Sequence, residues 1–229
     1  MKAPFDLTGK VFIVTGSGKG IGKGIVRCFV KAGAKCTINC NSNRAMAEET
    51  LKEIQAIGGE DCAFLYQADV SDYAQAEAMA KATYDHFGRI DGLVNNAALQ
   101  KQWMLDEYPI KDYDLLMHVN LGGYINMMRA VLPYLKETRG SITCISSVHG
   151  KRPTDFDPVY AMTKGGMHML LREAAIEFAK YGVRVNMIMP AGVKIEFKTG
   201  NPRPFQKPRL MPPREYYEKY PMYPLGRHG

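Results

Sequence analysis

Tyr160, Ala161, Met162, Thr163 and Lys164 place a phenol and an ammonium four residues apart at the start of a predicted helix, so both side chains leave the same face. A nearby ammonium favours the phenolate and lowers a tyrosine pKa, which turns a weak acid into one usable near neutral pH. Such a spacing also arises by chance as a surface contact. Its surroundings argue otherwise: Ser147 lies thirteen residues earlier at the end of a predicted strand, and Asn120 a further twenty-seven residues before that, inside a long predicted helix.

A second motif, Thr15-Gly16-Ser17-Gly18-Lys19-Gly20-Ile21-Gly22, follows an apolar strand pattern and leads into a helix. Glycines there allow positive φ and let the backbone approach a pyrophosphate, while the helix amino terminus supplies free N–H groups and a positive dipole end. A tight strand-to-helix turn would use the same glycines, so the position directly after the first strand carries the weight. Gly20 stands after Lys19 where the phosphate loop of a nucleotide hydrolase needs a Ser or Thr for magnesium, which disfavours hydrolysis. At the end of the second strand an NAD-selective dinucleotide fold places an acid on the ribose 2′-hydroxyl, and Ile38-Asn39-Cys40-Asn41-Ser42-Asn43-Arg44 holds none. Lys19, with Arg44, is expected instead to neutralise a 2′-phosphate while Asn41 and Ser42 donate hydrogen bonds to it, so NADP(H) is favoured over NAD(H). The alternative for Lys19 and Arg44 is a pair of solvated surface charges.

These residues need a scaffold, and the hydrophobic pattern supplies one. Val11–Thr15, Lys35–Cys40, Ala63–Ala68, Gly92–Asn95, Ser141–Ser146 and Arg184–Met189 read as buried strands. Helical periodicity fits Ile21–Ala32, Arg44–Ile57, Tyr73–Phe87, a long segment within Tyr113–Lys136, and Pro158–Tyr181. Each helix lies in a crossover between two strands, which predicts a single α/β domain: one doubly wound, Rossmann-type parallel sheet with helices on both faces. Residues 1–192 form its dinucleotide-binding and catalytic part in this reading. Residues 193–229, with seven of the 13 prolines, form a basic substrate flap of the same domain, in which Pro213–Tyr220 is a candidate short helix.

In order and spacing these motifs resemble the short-chain dehydrogenase/reductase family from Leu7 to about Gly229, through TGSGKGIG (15–22), Asp69-Val70, Asn95-Asn96-Ala97-Ala98, Asn120, Ser147, the Tyr160/Lys164 pair and Pro190. The resemblance implies that Tyr160 is the general acid or base, that Ser147 holds the substrate oxygen, that Lys164 lowers the Tyr160 pKa and binds the nicotinamide ribose, and that Asn120 anchors a water in the proton relay. It also implies a cofactor site made of Gly16, Ser17, Lys19, Gly20, Ile21, Gly22, Asn41, Ser42, Asp69, Val70, Asn95, Ala97, Tyr160, Lys164, Pro190 and Val193, with Asp69 and Val70 at the adenine and Asn95 beside the adenosine ribose. Hydride transfer between NADP(H) and a carbonyl or alcohol carbon follows.

Departures from the family accompany these matches. Pro190 is followed by Ala191 rather than Gly, and Ile195 occupies the place of a Thr that touches the nicotinamide carboxamide. Pro224–Gly229 looks like the family segment that precedes one more helix and a final strand, so both are expected to be lacking. By resemblance Gln100, Trp103 and His149 face the substrate, a polar set that suits a sugar, polyol or sugar acid. A 3-oxoacyl-thioester reductase using the basic flap, and a non-catalytic dinucleotide-binding sensor or scaffold, are the alternatives. His149 is read as pocket wall rather than metal ligand, and Met127, Met128, Met162, Met167 and Met169 as core and helix-interface filler.

Composition sets the remaining bounds. The net charge is +7, of which +5 falls in residues 193–229, so the rest of the chain is nearly neutral and a nucleic-acid partner is not expected. No apolar run of membrane-spanning length or secretory leader pattern is seen, which predicts a cytoplasmic protein without membrane attachment. Five cysteines without a CxxC pair read as reduced, mostly buried thiols. A homo-oligomer, dimer or tetramer, acting on a small molecule is expected.

Overall fold

Short runs rich in β-branched and apolar residues form six strands: β1 (Val11–Val14), β2 (Lys35–Cys40), β3 (Ala63–Gln67), β4 (Gly92–Asn95), β5 (Ser141–Ile145) and β6 (Arg184–Ile188). In the computed structural model, which describes residues 5–152 and 157–193, they make one parallel sheet in the order β3-β2-β1-β4-β5-β6. Registers such as Ile13 opposite both Thr37 and Leu93 align the carboxyl ends of β1, β2 and β4 at one edge. Parallel strands require crossovers, and helices α1 (Gly20–Lys31), α2 (Arg44–Gly58), α3 (Tyr73–Phe87), α4 (Ile110–Met117), α5 (Gly123–Thr138) and α6 (Pro158–Ala179) provide them.

Local signals set the helix ends. Asp72 caps α3 by accepting from the backbone N–H of Ala74 and Gln75, Gly88 closes it in the left-handed region at φ 77°, and Pro158 opens α6 at its first position. Val26, Val30, Ile38 and Ile54 pack α1 and α2 on one face of the sheet. Met79, Met127, Val131, Leu135, Met167 and Leu171 pack α3, α5 and α6 on the other.

Two expectations are revised. The long helix within Tyr113–Lys136 is interrupted by a π turn over His118–Gly122, in which Asn120 lies. Met127, Met128 and Met167 are core, but Met162 and Met169 are exposed, because residues two positions apart on a helix, such as Met167 and Met169, point to nearly opposite sides. Residues 194–229, which include Ile195, the candidate helix Pro213–Tyr220 and the chain's final segment, lie outside the described residues. Cys36, Cys40, Cys62 and Cys144 are buried free thiols and Cys28 is an exposed one. No helix among the described residues is long and apolar enough to cross a membrane.

At the end of the sheet away from the glycine loop, Asp91 ties β1 to β4. Its carboxylate accepts from Lys10 Nζ at 3.1 Å, the Val11 N–H at 3.0 Å, and Arg89 Nε and Nη2 at 2.8 and 2.7 Å. Burial pushes this carboxyl up, but the bonds from Arg89, Val11 and Lys10 outweigh it and hold the group below its ordinary value. Its stabilisation is therefore complete above the unfolded carboxyl's pKa and is lost as pH falls through the lower folded value. Asp91→Asn is expected to cost about 2 kcal/mol at pH 7, about 4–8 °C in Tm, with the difference shrinking below about pH 4. Thermal melts of both proteins at pH 7 and pH 3 check this, and a Tm difference that did not change between the two would contradict it.

Candidate active site

The order of the sheet reverses between β1 and β4, and a cleft of about 420 Å³ opens beyond the carboxyl ends of these strands. Gly16 turns out of β1 at φ 60°, and a Cβ on it would stand 2.8 Å from Ala97 Cα, so only glycine permits this approach of the loop to the end of β4. The loop is pinned from beneath. Asn39 Oδ1 accepts from Gly16 N at 3.0 Å, and Thr15 Oγ1 accepts from the N–H groups of Asn96 and Ala97 at 2.9 and 3.0 Å. Asn96 Nδ2 donates to the Thr15 and Gly16 carbonyls at 2.9 and 3.2 Å.

Lys19 occupies the capping position of α1, no side chain caps that helix, and its first turn holds no acid. The first-turn N–H groups therefore face the cleft with the positive end of the helix dipole behind them. This donor set fits a diphosphate. Gly16, Lys19, Gly20, Ile21, Asn41, Ser42, Asp69, Val70 and Ala97 line the cleft, as does Tyr160 at its far end.

Other expected cofactor contacts are placed differently. Ser17 is fully buried, donating to the Val14 carbonyl at 2.6 Å and accepting from Asn39 N at 3.0 Å, so its hydroxyl supports the loop from inside. Gly22 lies beneath the loop, where a Cβ would stand 2.6 Å from Asn96 Nδ2. Asn95 is buried and donates to the Tyr124 carbonyl at 3.1 Å. Consecutive residues at a strand end point to opposite sides, and it is Asn96 that reaches the cleft. Arg44 pairs with Glu48 at 2.8 Å across exposed surface and does not line the cleft. Asp69 accepts from Asn41 Nδ2 on one oxygen at 3.0 Å and from Ser71 on the other. Pro190 accepts from Val148 N at 3.1 Å through its carbonyl, Val193 is exposed, and neither lines the cleft.

At the other end, β5 delivers Ser147 and α6 delivers Tyr160 and Lys164. The two elements meet closely because Gly150 lacks a Cβ, which would stand 2.8 Å from both the Lys164 carbonyl and His168 Nε2. Ser146 reinforces the contact, its hydroxyl 3.0 Å from His168 Nε2 and 3.3 Å from the Lys164 carbonyl. The Ser147 hydroxyl accepts from His149 N at 3.2 Å and lies near enough to the Tyr160 phenol to favour its ionised form. Lys164 is only 1% exposed. Its Nζ lies 5.5 Å from the centre of the Tyr160 ring, donates to the Ile145 carbonyl at 2.7 Å and reaches Tyr124 Oη at 3.5 Å.

Asn120 is fully buried in the π turn. Its side chain accepts from Leu99 N at 2.8 Å and donates to the Leu99 carbonyl at 2.9 Å and to Thr163 Oγ1 at 3.2 Å, tying the loop after β4 to α6. Thr163 in turn donates to the Tyr160 carbonyl at 2.8 Å.

The electrostatics differ from expectation in one respect. Burial is the leading influence on Tyr160 and pushes the phenol above its ordinary value, Ser147 opposes this, and Asp157 adds to it. The Lys164 ammonium is directed at the Ile145 carbonyl, and burial lowers it to about 8. The phenol is therefore a neutral proton donor at physiological pH, with a buried cation behind its ring.

Of the expected substrate residues, Gln100 lines the cleft and donates to Asp157 Oδ2. His149 stands edge-on to Tyr160 with ring centres 6.2 Å apart. Trp103 is turned towards α4, where its Nε1 donates to Asp112 Oδ2 at 2.9 Å, and it does not line the cleft. Sequence reasoning missed Asn39 and Thr163. Asn39 was detectable as an amide inside an otherwise apolar strand, and Thr163 from its place inside the Tyr160/Lys164 motif.

Comparison with known proteins agrees with this geometry. Residues 10–203 match the short chain dehydrogenase family. The chain is 33% identical to glucose 1-dehydrogenase 2 of Bacillus subtilis (strain 168) over 194 residues, 83% of this chain and 74% of that protein. It is 36% identical to 3beta-hydroxysteroid dehydrogenase 1 of Eggerthella lenta over 190 residues, 82% of this chain and 72% of that protein. With levodione reductase of Leifsonia aquatica the identity is 31% over 194 residues, covering 81% and 70%. A glycine-rich cleft at the sheet's switch point, with a Tyr-Ser-Lys set at one end and this match over most of its length, identifies the chain as a member of the short chain dehydrogenase family, an oxidoreductase whose redox partner is a nicotinamide dinucleotide.

Proposed function

We propose that this protein transfers hydride between NADP(H) and the carbonyl or alcohol carbon of a small polar substrate, a sugar, polyol or sugar acid. The observation that carries the reading is that Tyr160, with Ser147 beside it and the buried Lys164 behind its ring, lines the same cleft as the glycine loop. A bound nicotinamide dinucleotide supplies or accepts the hydride. In the reducing direction Tyr160 donates its proton to the substrate oxygen while Ser147 holds that oxygen by a second hydrogen bond. Lys164 stabilises the phenolate left behind, and oxidation runs the same steps in reverse. Asn120 fixes the Leu99 loop through its side chain and is the residue we assign to anchor a water of the proton relay.

Support for the 2′-phosphate comes from three features at the adenosine end. The segment after β2 holds no acid, Lys19 has no ion-pair partner among the described residues, and α2 begins there with Asn43 as its cap and no acid in its first turn. Lys19→Glu is expected to weaken NADPH binding about 50-fold and leave NADH within about threefold. Equal losses for both cofactors would contradict the assignment of Lys19 to the 2′-phosphate.

The named substrates of the relatives include glucose, a steroid and levodione, and only the first belongs to the class proposed here. Nothing among the described residues favours the thioester-reductase or the non-catalytic alternative. Self-association as a homo-oligomer is supported by Met162, Met169 and Ile176, which are 45%, 59% and 73% exposed and, at seven-residue spacing, form one apolar stripe on α6. Sedimentation at micromolar concentration is expected to give a mass of at least twice 25.6 kDa, and Met169→Lys to lower it. A monomer in both cases would exclude this surface as an interface between copies.

A further inference from the structure

The glycine loop is tied down peptide by peptide, and each tie comes from a different element. Asn39 in β2 accepts from the Gly16 N–H, and Asn96 beyond β4 donates to the Thr15 and Gly16 carbonyls. The Gly18 carbonyl is held from the middle of α2, where Thr50 Oγ1 donates to it at 2.8 Å. Thr50 is only 2% exposed and does not line the cleft, and its bond is the only one that the Gly18 carbonyl accepts among the described residues. The helix is pressed against the loop at the same point, since a Cβ on Gly18 would stand 2.9 Å from Ala47 Cβ.

The peptide between Gly18 and Lys19 is planar and trans, so its carbonyl and its N–H point in opposite directions. With the carbonyl drawn towards Thr50, the Lys19 N–H points away from that hydroxyl, and it has no acceptor among the described residues. Gly18 and Lys19 both line the cleft. Gly18 has no side chain to resist rotation of this peptide, and a rotated peptide would present a carbonyl oxygen to an anion in place of a donor. We infer that Thr50 is a positioning residue for the cofactor. By holding the Gly18 carbonyl inward it aims the Lys19 N–H at the diphosphate, and so sets an anion-binding donor from thirty-two residues away without touching the ligand. The inference rests on the nicotinamide-dinucleotide reading of the cleft and deepens it. It does not depend on the 2′-phosphate, because the diphosphate is common to NADPH and NADH.

The test is calorimetric titration of wild type, Thr50→Val and Thr50→Ser with NADPH and with NADH. Valine keeps the branched shape and removes the donor, whereas serine keeps the donor. Thr50→Val is expected to weaken both cofactors by one common factor of about tenfold, and Thr50→Ser to stay within about threefold of wild type. Thr37→Val is the control: Thr37 is a fully buried threonine of β2 whose hydroxyl lies 2.8 Å from Thr83 Oγ1, away from the loop. It removes a buried hydrogen bond from the same layer of the fold and is expected to leave both affinities within about twofold. A second measurement needs no variant. In wild type carrying isotopically labelled lysine, the Lys19 amide is expected to exchange its hydrogen at least about tenfold more slowly when the protein is saturated with NADH. Unchanged affinities in Thr50→Val, an equal loss in Thr50→Ser, a loss confined to NADPH, an equal loss in Thr37→Val, or a Lys19 amide that NADH does not protect would each overturn the inference alone. Failure of both cofactors to bind the wild type would remove the dinucleotide reading of the cleft and the inference with it.

Discussion

Tyr160→Phe is expected to lower kcat/KM by about 10³-fold while leaving the NADPH dissociation constant within about twofold. The phenol is the group at the end of the cleft that can hand a proton to a substrate oxygen, and its burial above the ordinary tyrosine range keeps it protonated at neutral pH. Phenylalanine retains the ring, its edge-on contact with His149 and the packing of α6, so the loss falls on proton transfer rather than on folding. Steady-state kinetics with sorbitol and NADP⁺, alongside an NADPH titration, separate the two effects. Activity within threefold of wild type would remove Tyr160 from the mechanism.

Lys164→Met is expected to reduce kcat/KM by about 10²-fold or more and at the same time to raise Tm by a few degrees. The two effects share one cause. The ammonium is 1% exposed and burial lowers it to about 8, against about 10.5 in the unfolded chain, so the folded state holds a charge it disfavours by about 3 kcal/mol at neutral pH. That penalty is present in full below about pH 8 and fades as pH rises towards the unfolded value, because the unfolded chain binds the extra proton in between. Methionine fills a similar volume without the charge. It leaves the Ile145 carbonyl without its 2.7 Å donor, which returns about 1–2 kcal/mol of the gain. If the cation stabilises the phenolate, kcat/KM of the wild type falls as pH rises through about 8, and this limb disappears in Lys164→Met. Melting curves and a pH profile check both arms. A variant less stable than wild type at pH 7, or a pH limb that survives the substitution, would contradict them.

Much of the scaffold was legible in the chain because buried parallel strands leave short apolar runs and crossovers leave amphipathic ones. All six strands fall within one residue of the expected bounds. The Gly16 turn and the Tyr160/Lys164 pair were legible for a related reason, since positive φ and helical spacing act through local sequence. What could not be read depends on the direction of single side chains. Asn95 and Asn96 are identical in type and adjacent, yet one is buried against Tyr124 and the other latches the glycine loop. Arg44 stood second to Lys19 as a phosphate partner in the sequence, and Glu48, one helical turn away, pairs with it instead. The polarity of Tyr160 was also out of reach. The ammonium four residues away predicts a lowered pKa, whereas burial, with a smaller push from Asp157, raises it.

The most direct test of the central claim, that the cleft from Lys19 to Tyr160 takes NADP(H), uses Trp103, the only tryptophan in the chain, as an energy-transfer donor to the reduced nicotinamide. Titrating the purified protein with NADPH and NADH in parallel is expected to give saturable quenching of Trp103 by both, with NADPH bound about tenfold or more tightly. Tighter binding of NADH would contradict the 2′-phosphate assignment, and no saturable signal with either cofactor would contradict the claim as a whole.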